Sequence, residues 1–189
     1  MDFFTEFPTM EREDLRDFKK FIDLAFRTFA RAYGEVLESF FHPLLVFLVW
    51  LEKLLINTPW PIIIMAIALL AWIGSRSLFL VAGTIISFLV IGYFGMWKDT
   101  MATMAIITVA TLVCISVGIP FGILMARSNR VQATILPILD MMQTIPSFVY
   151  LIPIIMLLGI GKVPGLIAVC IYALPPIVRL TNLGIREVD

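Results

Sequence analysis

The side chains of this 189-residue chain that could do chemistry are few, and almost all of them lie outside its apolar runs. Asp140 is the exception, because it lies between the apolar segments LPIL and MM. A carboxylate in such a context is costly to bury in an apolar medium, so it indicates either a structural ion pair or a contact at a gate. Arg127 and Arg130 are the predicted partners for the structural role. The sequence leaves both interpretations open.

No motif in the sequence indicates an enzyme. It has no carboxylate pair, His/Cys cluster, Ser/His arrangement or HExxH motif. A glycine-rich phosphate loop is also absent, so we expect no cofactor, ATP included, to be bound by this chain alone. Cys114 and Cys170 lie inside apolar runs and are expected to be small buried hydrophobic residues. The region around Asp140 therefore favours a pathway or a docking surface over a catalytic site.

The composition predicts the elements that must position these residues. Hydrophobic residues make up 60% of the chain and charged residues 15%, whereas soluble proteins have roughly 45–50% and 25%. We therefore predict an all-α polytopic membrane protein. The net charge is zero, and nothing indicates binding to nucleic acid. The N-terminus MDFFTEFP stays charged and is not typical of a cleavable signal peptide.

Residues 1–59 are predicted to form amphipathic helices at the outer membrane interface. From Glu11 onward, apolar residues recur at helical spacing, and Thr9 is the predicted N-cap. The alternative is a helix packed on a partner subunit. Pro43 is predicted to end the helix at His42. The following segment, 44–57, is then too short to span a membrane.

Five membrane spans are predicted after this region. Two of them belong to residues 60–97 and three to residues 98–189, and they cover 60–75, 77–97, 100–126, 148–160 and 164–178. Prolines are predicted to kink or break several of them, at Pro120, Pro137, Pro146, Pro153, Pro175 and Pro176.

The orientation follows from the basic residues of the loops. The loops after the odd-numbered spans hold five arginines, namely Arg76, Arg127, Arg130, Arg179 and Arg186. The other loops hold only Lys98 and Lys162. Basic residues favour the cytoplasmic side, so the N-terminus is predicted outside and Asp189 in the cytoplasm.

Two stretches near the C-terminus carry a family resemblance. They are MMQTIPSFVYLIPIIMLLGIGKVPG and ALPPIVRLTNLGIREVD. With them, residues 98–189 resemble the permease subunit of ABC importers for glycine betaine, proline and related quaternary amines. The resemblance implies part of a type I ABC importer transmembrane-domain fold.

The resemblance also implies roles for individual residues. A translocation pathway near the cytoplasmic end of span 4 would include Met141, Met142, Gln143, Pro146, Phe148 and Tyr150. Aromatic rings suit a quaternary ammonium, although helix packing and lipid contact remain alternatives for the methionines and the aromatic residues. Gly159, Gly161 and Gly165 are expected to allow a tight loop and close helix approach.

In this family the exit from span 5 leads into a cytoplasmic loop that docks on the ATPase. Arg179, Arg186 and Glu187 would approach that loop. The chain stops at Asp189, where the loop should begin, so a fragment or a truncated product is expected.

The resemblance further implies a prokaryotic inner-membrane location and several partners. These are an ABC ATPase carrying ATP and Mg²⁺, an extracytoplasmic solute-binding protein and a second permease copy. Two alternatives stay open. One is a permease for another amino acid, choline or carnitine, and the other is a partner-independent channel or secondary carrier. A carrier would normally need acidic residues at mid-membrane, which the spans lack.

Overall fold

The computed structural model describes residues 11–188, which are almost entirely helical and contain no strand. Their seven helices are α1 (Arg12–Asn57), α2 (Trp60–Ser75), α3 (Leu78–Tyr93), α4 (Trp97–Arg127), α5 (Asn129–Thr144), α6 (Ser147–Leu158) and α7 (Lys162–Arg186). The predicted all-α architecture is confirmed.

Helix α1 differs from its prediction. It continues through Pro43 without a break, so the predicted end at His42 is wrong. A proline removes one backbone hydrogen bond, but the next turns of α1 are anchored, because Leu48 is completely buried against α4 and α7. The unbroken segment Ala32–Asn57 has 26 residues and is apolar enough to cross a membrane. The predicted N-cap, Thr9, lies outside the described residues.

Among the described residues 11–188, three helical segments are long and apolar enough to cross a membrane: Ala32–Asn57, Trp97–Arg127 and Lys162–Arg186. Helices α5 and α6 together form a fourth candidate, which is bent by 88° at its break. Helices α2 and α3 have 16 residues each and are therefore about 24 Å long, shorter than the roughly 30 Å hydrocarbon core. The five predicted spans thus correspond to two long helices, one bent pair and two short helices.

The core lies where α4, α7 and α1 meet. Leu48 of α1 packs with Ala105 and Val109 of α4 and with Leu166 of α7. Helix α1 runs antiparallel to α4. Near the N-terminus of α4, Ile56 and Trp97 line one cavity, and further along α4, Leu44 and Val117 line another.

Helices α4 and α7 run parallel at very short range. A Cβ added at Gly122 would lie 2.5 Å from Cβ of Thr181, and one added at Gly118 would lie 2.8 Å from Cγ2 of Ile177. Two glycines four positions apart form a G-x-x-x-G pattern, which lets helix backbones approach closely in a membrane. The closely packed α4–α7 pair therefore supports the helices that carry the candidate site.

Candidate functional site

The predicted pathway residues lie around the break between α5 and α6, which we call the elbow (residues 144–147). Pro146 is the N-cap of α6, and the residue before a proline is disfavoured in helical conformation, so the chain turns there. The Tyr150 hydroxyl oxygen lies 2.7 Å from the Met142 carbonyl oxygen and 2.6 Å from that of Ile145. Its proton can be donated to either carbonyl at the end of α5. Tyr150 thereby braces the elbow.

The other predicted pathway residues fall into two groups. Met142 is half-buried and packs against the core cluster formed by Met125, Leu139 and Val178. The rest are exposed, namely Met141, Gln143, Pro146 and Phe148. Within residues 11–188, neither Phe148 nor Tyr150 belongs to a close aromatic pair. Of these residues, Tyr150 and Met142 are joined by a hydrogen bond. The role of the whole set in a translocation pathway stays a prediction.

Asp140 forms its ion pair with Arg179 of α7. The predicted pairing with Arg127 or Arg130 is wrong, because α5 runs back antiparallel along α7 and carries Asp140 away from both arginines. Asn129, at the start of α5, lies beside Arg186. Arg127 and Arg130 are exposed. The ion pair connects the elbow end of α5 to α7.

Arg186 joins three helices at the opposite end of α5. Its Nη2 donates to the Met125 carbonyl oxygen of α4 at 2.9 Å and to Oδ1 of Asn129 at 2.9 Å. Its Nε donates to Oδ1 of Asn182 at 3.1 Å. Asn182 is only 7% exposed, so its side chain needs such a partner. We call this group the Arg186 clasp (Met125, Asn129, Asn182 and Arg186).

The last predicted site residue, Glu187, is the C-cap of α7 and is exposed. Arg186 and Glu187 are both exposed, but only Arg186 has side-chain hydrogen bonds to α4 and α5. Sequence reasoning placed both on the approach to a docking loop. It missed Asn129 and Asn182, which no motif marks.

The loop before α7 shows what its glycines do. Gly159 has φ +77°, a conformation that glycine adopts readily, so the predicted tight loop is confirmed there. A Cβ at Gly165 would meet no atom of the described chain within 4 Å, so its predicted close helix approach is wrong. The close helix approach occurs instead at Gly118 and Gly122. Their G-x-x-x-G spacing is the sequence pattern that could have predicted it.

A second ion pair lies near the other end of α7. Lys162, at the start of α7, pairs with Glu52 of α1, whose side chain is only 15% exposed. The sequence predicted Glu52 in an interfacial segment separate from the core. The ion pair instead ties α1 to the loop between α6 and α7.

The two cysteines lie inside the α4–α7 contact, and neither forms a disulfide within the described chain. Cys114 is buried and Cys170 half-buried, and the Cys114 Sγ lies 3.6 Å from the Cys170 carbonyl oxygen. Residues 11–188 contain no group of three or more His, Cys, Asp or Glu side chains that could hold a metal ion.

Comparison with known proteins gives this geometry a context. Residues 118–189 match the family described as binding-protein-dependent transport system inner membrane component. These residues include the last third of α4, then α5, the elbow, α6, α7 and the Arg186 clasp.

Three relatives extend the similarity. The glycine betaine/proline betaine transport system permease protein ProW of Escherichia coli (strain K12) is 50% identical over 137 residues, which are 72% of this chain and 38% of ProW. The glycine betaine/carnitine transport permease protein GbuB of Listeria monocytogenes is 41% identical, over 69% of this chain and 47% of GbuB. The glycine betaine transport system permease protein OpuAB of Bacillus subtilis is 36% identical, over 96% of this chain and 62% of OpuAB. The chain thus spans between 38% and 62% of the length of these relatives.

Proposed function

Because residues 118–189 of this chain match the family of binding-protein-dependent transport system inner membrane components, we propose that the chain forms part of the permease of an ATP-driven importer. Its all-α architecture is part of the type I ABC importer permease fold. The observation that carries the proposal is that this match covers the elbow, both arginine contacts and the close α4–α7 approach at Gly118 and Gly122.

We propose glycine betaine and proline betaine as the transported class. The names of the relatives from Escherichia coli and Bacillus subtilis support this choice. The Listeria relative is named for glycine betaine and carnitine, so carnitine is the second candidate. Uptake of labelled glycine betaine in competition with carnitine, choline and proline separates these substrates.

The proposed mechanism is alternating access, with the energy supplied by a partner ATPase that binds ATP and Mg²⁺. Helices α4, α5 and α7 would move as one unit, since the Arg186 clasp and the Asp140–Arg179 pair connect them. The elbow, exposed and bent by 88°, would be the part that changes its contacts. A solute-binding protein would deliver the substrate, and a second permease copy would complete the pathway.

The chain is an integral membrane protein by family and by its apolar helices. We propose that the end of the bundle carrying Arg127 and Arg186 faces the cytoplasm, since basic residues favour that side. Two placements of the first residues of α1 follow. An interfacial α1 leaves them outside, whereas a spanning Ala32–Asn57 puts them inside, because α1 runs antiparallel to α4. Labelling of Lys19 and Lys20 by an impermeant reagent, in intact and in opened cells, decides between the two.

The experiment that tests the function uses the full-length permease in cells that lack other betaine uptake systems. We expect it to co-purify with an ATPase and to restore ATP-dependent uptake of glycine betaine. Absence of an ATPase partner, with betaine uptake surviving deletion of the gene, would remove the proposal. Solute flux in ATP-free liposomes would instead indicate a channel or a secondary carrier.

A further inference from the structure

An aromatic cleft of about 600 Å³ lies at the end of the bundle opposite the Arg186 clasp. Four helix ends meet there, since the α1–α2 connection and the α3–α4 connection both border it. Its aromatic lining residues are Trp60, Phe88, Tyr93 and Trp97. The rings of Phe88 and Trp97 meet edge to face, with centroids 6.3 Å apart. None of the residues that line the cleft is acidic or basic.

The cleft has a polar side. Asn57 and Thr58 line it, and they also line a neighbouring hollow of about 470 Å³ that reaches Lys53. The Thr58 hydroxyl donates to the Leu54 carbonyl oxygen at 2.7 Å, which leaves its oxygen free to accept. The aromatic lining and Lys53 therefore belong to two adjoining hollows that share Asn57, Thr58 and Pro59.

This arrangement suits a ligand that carries a quaternary ammonium group and an anionic group close together. Aromatic faces attract quaternary ammonium groups, most strongly when the site excludes water. An anionic group a few bonds away from that ammonium would be placed toward Lys53 and the Asn57 amide. Tryptophan and tyrosine at helix ends are typical of the membrane–water interface, where such a molecule arrives from water or belongs to a lipid.

We propose that the aromatic cleft binds a zwitterion, with its trimethylammonium group on the faces of Trp60 and Trp97 and its anionic group toward Lys53. Two sources share this chemistry, a free betaine-type solute and the choline headgroup of a lipid. The solute source rests on the proposed function, whereas the lipid source does not.

The test uses the full chain in lipid nanodiscs. Saturation-transfer NMR on the trimethylammonium protons measures glycine betaine binding in discs of phosphatidylglycerol and phosphatidylethanolamine. We expect 3,3-dimethylbutanoate, which has the same shape but a neutral head, to bind about tenfold more weakly, because the cation–ring attraction is lost.

Substitutions locate the binding. Trp97→Leu is expected to weaken binding about tenfold, whereas Trp97→Phe, which keeps an aromatic face, should retain part of it. Trp72→Leu is the matched control, because Trp72 lies on α2 but does not line the cleft. Lys53→Met should weaken binding of glycine betaine while leaving tetramethylammonium, which has no anionic group, unaffected.

Discs containing phosphatidylcholine distinguish the two sources. Loss of the betaine signal in these discs supports a cleft that takes both molecules. Binding of the choline lipid alone, detected by its loss in Trp97→Leu, supports the lipid source. Equal binding of betaine and its neutral isostere, or no effect of Trp97→Leu on either ligand, overturns the proposal.

Uptake by the full-length permease is measured alongside, so that the two proposals fail separately. Betaine uptake without ligand binding in the cleft removes only this inference. Lipid binding in the cleft without betaine uptake removes only the proposed function.

Discussion

The α4–α7 pair and the α2–α3 hairpin are both apolar, yet the structure packs them very differently. Helix α4 has eight buried residues, whereas α2 has only Ile63 and Ile64 and α3 has none within the described chain. The hairpin nevertheless has the more apolar composition of the two. Close contact follows the small residues Gly118 and Gly122 and the polar clasp, because lipid is as apolar as leucine and gives apolar helices no reason to associate.

The largest effect is expected from filling the α4–α7 contact. Gly122→Leu should destabilise the chain by about 3 kcal/mol, since even a single Cβ there would lie 2.9 Å from the Val178 carbonyl oxygen and 2.5 Å from Cβ of Thr181. The measurement is the unfolding free energy in detergent micelles, followed by circular dichroism.

The matched control is Gly83→Leu on α3, where an added Cβ would meet nothing within 4 Å. It should change the unfolding free energy by less than about 1 kcal/mol and in the stabilising direction, because glycine is a poor helix former. Equal losses at the two positions would show that the two regions do not differ in packing.

The second prediction compares the Arg186 clasp with an exposed arginine at the same end of the bundle. Arg186→Met removes three hydrogen bonds and leaves the buried Asn182 amide without its partner, so we expect a loss of about 2 kcal/mol. Arg130→Met, at an exposed position of the same end, should cost less than about 0.5 kcal/mol. Thermal unfolding of both variants in one detergent compares them, and a similar loss for each would contradict a specific clasp.

The comparison also shows what the sequence could predict. Helix content, the extent of α4 and the start of α7 followed from long uncharged runs, since a membrane requires internally hydrogen-bonded segments of that length. The end of α7 did not follow: span 5 was predicted to stop at residue 178, whereas α7 continues through Pro175 and Pro176 to Arg186. The continuity of α1 through Pro43 could not be predicted from the sequence. Tertiary packing around Leu48 overrides the local tendency of a proline to end a helix.

The partners of the charged residues likewise could not be predicted from the sequence. The partner of Asp140 depends on the direction in which α5 folds back along α7, and a loop of one residue, Ser128, sets that direction. The Arg186 clasp depends on Asn129 and Asn182, which belong to different helices and share no sequence pattern.

A third prediction concerns the attachment of α1. Lys162→Met leaves the Glu52 carboxylate, whose side chain is 15% exposed, without its cation. We expect a loss of about 1.5 kcal/mol, between the values for exposed and for buried ion pairs. The double variant Glu52→Gln with Lys162→Met should recover part of that loss. No recovery in this double-mutant cycle would show that the two side chains are not coupled.

The smallest expected effect distinguishes two aromatic residues of the elbow. Tyr150→Phe removes the hydroxyl that bridges the carbonyls of Met142 and Ile145, and should cost about 1 kcal/mol of unfolding free energy. Phe148→Leu, at a side chain that is 70% exposed, should cost less than about 0.5 kcal/mol.

In the full-length permease we expect the order of these two variants to reverse when betaine uptake is measured. A residue that only braces the elbow can lose stability without losing its role, whereas an exposed ring has no structural reason to be aromatic. If Phe148→Leu left uptake intact, Phe148 would face lipid, and the pathway would have to be sought on another face of α6.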